Sequence, residues 1–583
     1  MPYQKTGPDH ACHCDTPDHA DLDQSNCPQV TSLLISCKKS CVAFQRNVLR
    51  FFDYGIQGDR MNRSTRIPNK VLIWLFVIFY FYSLAAGIVF QKVLLQFLPG
   101  MVAPGASLTT DSAYFHGIAV SLANEISANG WSVWSPFPNQ YTSFNVALLG
   151  ALYAIFGVNT LLAVPLNALF HALSGVLLYL IAGELSANSS NGKIAGLIAS
   201  IIFVIFPSAL NWYGQIHKDG FAIFGIFLYA YILVFSVKNY KSFSYYDVIK
   251  YSFYSFAAIF FIGIIRPYYL KPLLAFTLVL ISLSVWRMLT RSEQSTKILV
   301  FAVLTTLSVV ANSTLVVIIG ATEAQLGETY ATSDSLEFVI DKTKRERKLE
   351  PRAERKPRGE RGSGFCSGDP DGVLGTICKK YSEIEEQAYL YYGIIEDQAY
   401  LYYNIIEDHA YLYYSMVEER LENNAKILAE TRFKLNEYSK SVKSKSSIDI
   451  NVNFHNLDDV ISYVPRALQI SIFAPFPDTW FDSFSPTRLI ASAEMAVIYI
   501  SLTGVLLVLF LNPRTESILL IILGLTFLVI YGLTIGNVGT LYRVRYAFEF
   551  LLVVLGVVGW CDKLLVANGS GRRLKDLSSG LTR

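Results

Sequence analysis

Charge is scarce in this sequence. Asp, Glu, Lys and Arg make up 16% of its 583 residues, against roughly 25% in ordinary soluble domains. The formal net charge is only +3, so charge balance points to no nucleic-acid partner. No cleavable signal peptide is expected, because the first 60 residues are polar. The eight cysteines follow no standard zinc spacing. Cys12, Cys14, Cys27, Cys37 and Cys41 lie near His10, His13 and His19 in an N-terminal tail (1–70). A solvated tail is the plainer reading of this segment and metal binding the sharper one. Met61 opens MNRSTRIPNK, a conventional lead into an apolar run. The upstream 60 residues therefore read as a dispensable extension or a start placed too early.

What the sequence has instead is apolar length. Hydrophobic residues make up 52% of the chain, and mean hydropathy is +0.36. Runs long enough to cross a ~30 Å hydrocarbon core recur, and backbone in lipid must satisfy its own hydrogen bonds, so these runs are expected to be helices. They fall at 71–98, 160–184, 194–212, 220–237, 249–265, 269–287, 297–320, 488–511, 516–535 and 545–561. The expected fold class is an all-α polytopic membrane protein of about ten spans. Residues 144–157 are also apolar, but 14 residues suit an interfacial or re-entrant segment better than a span.

Basic residues orient the spans. Arg46, Arg50, Arg60, Arg63, Arg66 and Lys70 precede the first, whereas the loop 99–143 has no Lys or Arg. With 144–157 not crossing, Lys193, Lys238, Lys241, Lys250, Arg287, Arg291, Lys297, Arg514, Lys563, Arg572, Arg573 and Lys575 all fall on the cytoplasmic side. The expected location is the plasma (inner) membrane, with both termini cytoplasmic. Domains then run 1–70 (tail), 71–320 (membrane core), 321–487 (extracytoplasmic insert), 488–562 (C-terminal spans) and 563–583 (tail). Lys218, Arg266, Lys271, Arg543 and Arg545 are left near the outer surface, against the rule. Snorkelling anchors are the plain reading of each; a site for phosphate headgroups is the other.

The insert opens with a mixed-charge run at 341–361, expected to be solvated. Cys366 and Cys378 follow, where an exported location permits a disulfide. Next, QAYLYYGIIED, QAYLYYNIIED and HAYLYYSMVEE repeat with a period of 11 from Gln387, Gln398 and His409. That period suits a helix with a slight right-handed supercoil. A packing or homo-oligomerisation helix is the plain reading of 387–419, and a tyrosine-rich glycan-contacting face the alternative. PFPDTWFDSF, with Trp480 and Phe481, reads as an outer-surface lead into the next span.

The spans are nearly free of charge, Glu494 being an exception near a span's outer end. A transporter usually carries ionisable residues within its spans. Here the ionisable groups gather at span ends. Asp111 begins TTDSAYFHGIAVSLANEI, whose apolar recurrence (Tyr114, Ile118, Ala119, Leu122) predicts a surface helix. Asp219 begins a span in NWYGQIHKDGFAIF. Each acid has an ordinary reading, as an N-cap or as a charge matched to the helix dipole. His116, His217 and Lys218 are expected on the same face. Two acids ringed by cations at one lipid–water boundary suit a phosphate-linked lipid substrate.

These pieces resemble the GT-C superfamily of polyprenyl-phosphate-sugar glycosyltransferases, and within it the protein O-mannosyltransferase and lipid A aminoarabinose transferase branch. The likeness rests on a first span and then an exported loop of the form D-x-x-x-Y-x-x-x-A, here Asp111, Tyr114-Phe115 and Ala119. It continues with ALLGALYAIFGVNT, VPLNALFHALSGVLLYLIAGEL and FPSALNWYGQIHKDGF, and is best over 71–236. IIRPYYLKP, PFPDTWF and GNVGTLYRVRYAFEF extend it more weakly. The sequence departs from the family where a second acid often follows the first: Ser112 stands there.

The resemblance implies sugar transfer at the outer membrane face, from a polyprenyl-phosphate donor to a glycan, glycolipid or protein. Asp111 would be the general base of an inverting displacement, and Asp219 would orient the acceptor or a cation. Tyr114, His116, His217, Lys218, Arg266, Lys271, Arg543 and Arg545 would bind substrate. Some members use a divalent metal, though no dense carboxylate cluster in this sequence demands one. A polymerase or ligase acting on lipid-linked oligosaccharide is a second reading, and a non-enzymatic scaffold or transporter a third.

Overall fold

In the computed structural model the described residues are 69–97, 108–136, 144–186, 188–290, 296–318, 419–437, 439–440, 446–481, 486–511 and 513–580. The N-terminal cysteines and histidines, the 341–361 charge run, Cys366, Cys378 and nearly all of the 387–419 repeats lie outside them. Met1–Ile73 separates from Trp74–Arg583 as a unit of its own, of which only the opening of the first helix is described.

Among the described residues no strand forms. Helices follow one another as α1 (Asn69–Lys92), α2 (Thr110–Asn129), α3 (Phe144–Phe156), α4 (Ala163–Leu185), α5 (Ser189–Ile205), α6 (Ala209–Tyr213), α7 (Asp219–Asn239), α8 (Tyr245–Ile265), α9 (Leu270–Thr290) and α10 (Thr296–Ile318). After a helical stretch at 419–437 come α11 (Leu457–Phe473), α12 (Pro486–Leu511), α13 (Thr515–Thr534) and α14 (Val538–Gly580).

Nine of the described helices are long and apolar enough to cross a membrane, and the chain is a multi-pass membrane protein. The tenth expected span, 194–212, is α5, which is only 17 residues long and stops at Ile205. The reason is local. Pro207 disfavours helical backbone at the residue before it, and Phe206 accordingly leaves the helix at ψ 119°. α3 is 13 residues long, about 20 Å at 1.5 Å per residue and too short to span. It packs on α2 instead, with Phe115, Ala119, Val146, Leu149 and Tyr153 in one buried cluster. α2 forms where the apolar spacing predicted a helix and buries Ala119 and Leu122, although Tyr114 turns outward at 47% exposure.

Two spans are central. In α7 and α14, 89% of the most apolar stretch is enclosed by protein, against 28% in α1. α14 is pinned by close backbone approach to α12. A Cβ on Gly556 would stand 1.9 Å from the Ser501 carbonyl oxygen, and one on Gly504 would stand 2.0 Å from that of Gly556. Small residues at such a crossing let membrane helices touch without a hydrophobic driving force.

The last turn of α13 is gripped from the insert. Arg432, 1% exposed, donates to the carbonyls of Leu533 (3.0 Å), Val452 (3.0 Å) and Asp449 (3.0 Å) and to the Tyr463 hydroxyl (3.1 Å). Its guanidinium also stacks over the rings of Phe454 and Tyr463.

Candidate functional site: an acid–arginine cluster at the helix ends

Asp111 and Asp219 meet because the chain before α7 is sewn to α2 and α4. The Thr109 amide donates to Gln215 Oε1 (3.0 Å), and the Ser112 hydroxyl donates to the Ile216 carbonyl (3.3 Å). From α4, Asn167 Nδ2 donates to the carbonyls of Tyr213 (3.1 Å) and Gln215. Thr109 is the N-cap of α2, yet its side chain makes no capping bond. Asp111, in the first turn, is directed elsewhere.

Its partner is Arg543, from the second turn of α14. Arg543 Nη1 donates to Asp111 at 2.7 Å, and Arg543 Nε donates to Asp219 at 2.7 Å. The other oxygen of Asp219 accepts from Arg266, which also donates to the Tyr268 hydroxyl. Arg266 reaches this position through Pro267. The proline ends α8 at Ile265, and Arg266 leaves the helix with φ −139° and ψ 78°. One guanidinium therefore bridges two carboxylates, and a second backs the deeper of the two.

Exposure ranks the group. The side chains of Asp219 and Arg266 are 4% and 3% exposed, Arg543 is 24% exposed, and Asp111 is 53% exposed. His217 Nδ1 lies 4.0 Å from Asp219, and neither buried ring nitrogen has a hydrogen-bond partner. Burial first, and the Arg543 charge second, push the His217 imidazole down to about 4, against the opposing pull of Asp219. The ring is therefore neutral at physiological pH, with one N–H to donate. Lys218 is partly exposed beside it. Burial and the Arg266 charge bring its ammonium down to about 8, with Asp219 opposing.

The other expected residues part company with the cluster. His116 Nδ1 lies 2.9 Å from the Tyr153 hydroxyl of α3, and burial pushes its pKa down. Lys271 stands exposed on the first turn of α9. Arg545, expected at the outer surface, is wholly buried inside the bundle. Its Nη1 donates to the Ser471 carbonyl (2.8 Å), its Nη2 to Met495 Sδ (3.1 Å), and its Nε lies 3.3 Å from Glu549. The cause is helical geometry, since two residues turn the side chain by about 200°. The expectation of nearly charge-free spans is corrected with it. Glu549 is buried in α14, and buried Glu494 in α12 accepts from the Ser208 amide (2.7 Å) and from the Tyr542 hydroxyl.

Tyr268, Gln215 and Asn167 went unseen as contributors. Tyr268 had a signal, as the second residue past Arg266 in IIRPYY. The other two act through backbone contacts that no pattern announces.

The carboxylates of Asp111 and Asp219 are both turned on guanidinium groups. Among the described residues no three His, Cys, Asp or Glu side chains could hold a metal ion together. The cluster suits an anion better. It offers two guanidiniums, an ammonium and a neutral imidazole, with an accessible carboxylate at the rim that could accept a proton. The sequence matches no protein-family model, and no curated protein matches it.

Proposed function

We propose that this membrane protein is a GT-C-type glycosyltransferase that moves a sugar from a polyprenyl phosphate to a hydroxyl-bearing glycan, glycolipid or protein at the outer face of the membrane. The observation that carries the reading is Arg543, which joins the rim carboxylate Asp111 to the buried Asp219–Arg266 pair at the helix ends. An accessible base beside guanidinium groups is what displacement of a phosphate-linked sugar requires. The acceptor oxygen attacks the anomeric carbon, and its proton passes to Asp111. The bond from that carbon to the phosphate oxygen breaks, and the electron pair leaves with the phosphate. Arg266, Arg543, Lys218 and the His217 N–H stabilise that charge. A single displacement inverts the anomeric centre.

The transporter reading loses one argument and regains another. Arg545, Glu549 and Glu494 do lie within spans, but Arg545 and Glu494 are spent on backbone and side-chain groups of neighbouring helices. The test is a transfer assay with the purified protein in lipid, offering a panel of polyprenyl-phosphate sugars to wild type and Asp111→Asn. Consumption of one donor by wild type, lost in the variant, supports the reading and names the sugar. If no donor is consumed while a lipid-linked oligosaccharide or a protein binds tightly, the transferase reading fails.

A further inference from the structure

The base of the proposed reaction is not free. Asp111 accepts a 2.7 Å hydrogen bond from Arg543, the guanidinium best placed to meet the donor phosphate. While that bond stands, the oxygen is turned to Arg543 and not to an acceptor hydroxyl. Resting on the transferase reading, we infer that donor phosphate takes the place of Asp111 on Arg543, so that donor binding releases the base and the acceptor is deprotonated only once the donor is seated.

Burial decides which acid leaves. Asp219 is 4% exposed and held by both arginines, whereas Asp111 is 53% exposed and held by one. Breaking a buried pair strands an unsolvated charge, while an exposed carboxylate is taken up by water. Charge points the same way. Two carboxylates balance two guanidiniums in the resting cluster, so the site has no net charge before Lys218 is counted. With Asp111 swung out, Asp219 and the two arginines carry one net positive charge. Lys218, protonated below about 8, adds a second, so release of Asp111 raises the positive charge facing a sugar phosphodiester from one to two. The released Asp111 remains at the rim, on a helix whose start is fixed by Gln215 and Ile216, and so stays beside the phosphate it made way for. Arg543 touches the donor directly. It acts on the acceptor only through Asp111.

The test measures binding rather than turnover. Undecaprenyl phosphate is titrated against the full-length protein in nanodiscs, with inorganic phosphate in a parallel arm. Asp111→Asn removes the competing anion and is expected to bind the lipid phosphate about two- to fivefold tighter than wild type. In an Arg543→Ala background the same substitution is expected to change nothing, since the two residues are coupled. Affinity unchanged or weakened in Asp111→Asn overturns the exchange, as does tightening that persists without Arg543. Tightening for inorganic phosphate but not for the lipid also overturns it, because the anion reaching Arg543 would not be the donor's. Tightening without turnover of any donor would keep the exchange and sink the transferase reading, so the two fail separately.

Discussion

Arg543 and Arg545 stand two residues apart on α14 and do opposite work. Arg545 is enclosed, and its donors go to backbone carbonyls of α11, a methionine sulfur of α12 and a glutamate of its own helix. Arg543 is 24% exposed and joins two acids brought in by different parts of the chain. The first arginine fastens helices. The second holds groups that a ligand could rearrange. A charge inside a membrane protein is thus informative only once its partners are known, because each of these residues would look functional in isolation.

The comparison can be broken by removing each in turn. Arg545→Ala strands Glu549, which is 2% exposed, and breaking such a buried pair costs ~3–5 kcal/mol. We expect loss of a monodisperse species in detergent and a large drop in the unfolding temperature. Arg543→Ala leaves Asp219 its bond from Arg266. We expect it to keep the fold and lose donor transfer. Equal instability of the two variants, or a tolerated Arg545→Ala, would erase the distinction.

The two acids sharpen it further. Asp111→Asn should lower transfer by ~10²–10⁴, the range for losing a general base, while the unfolding temperature stays that of wild type. Asp219→Asn should lose both activity and stability, because it leaves Arg266, 3% exposed, with a neutral partner. If Asp111→Asn unfolds the protein, the rim carboxylate is a structural cap after all, and its ordinary sequence reading was the better one.

Much of this was legible before any coordinates. Length and apolarity gave the spans, because the hydrocarbon core admits only helices of a certain reach. The break at Phe206–Pro207 could have been read too, and it shortens α5. Asp111, Asp219, Arg266 and Arg543 were legible as charges at span ends. Their mutual bonds were not, since they join residues 324 and 432 positions apart. Arg545 was misplaced for a different reason. Topology assigns a residue to a depth in the membrane but says nothing of which way it faces around the helix. Gln215 and Asn167 carry no signal at all, because they work through main-chain groups.

The smallest effect we predict concerns Lys218, and it has a sign. Its ammonium sits at about 8, so it is charged below that pH and neutral above. An anion bound at the cluster should therefore hold more tightly below pH 8, and affinity should fall as pH rises through it. The size is that of one partly exposed charge, about two- to fivefold. His217 does not contribute over this range, since its ring is already neutral above about 4. Affinity for a phosphodiester-linked polyprenyl sugar, whose charge is constant over this range, measured from pH 6.5 to 9.5 should show one inflection near 8 in wild type. It should vanish in Lys218→Met and move upward in Lys218→Arg, whose guanidinium stays protonated. An inflection that survives in Lys218→Met would assign the titration to another group. The cationic side of the cluster would then rest on Arg266 and Arg543 alone.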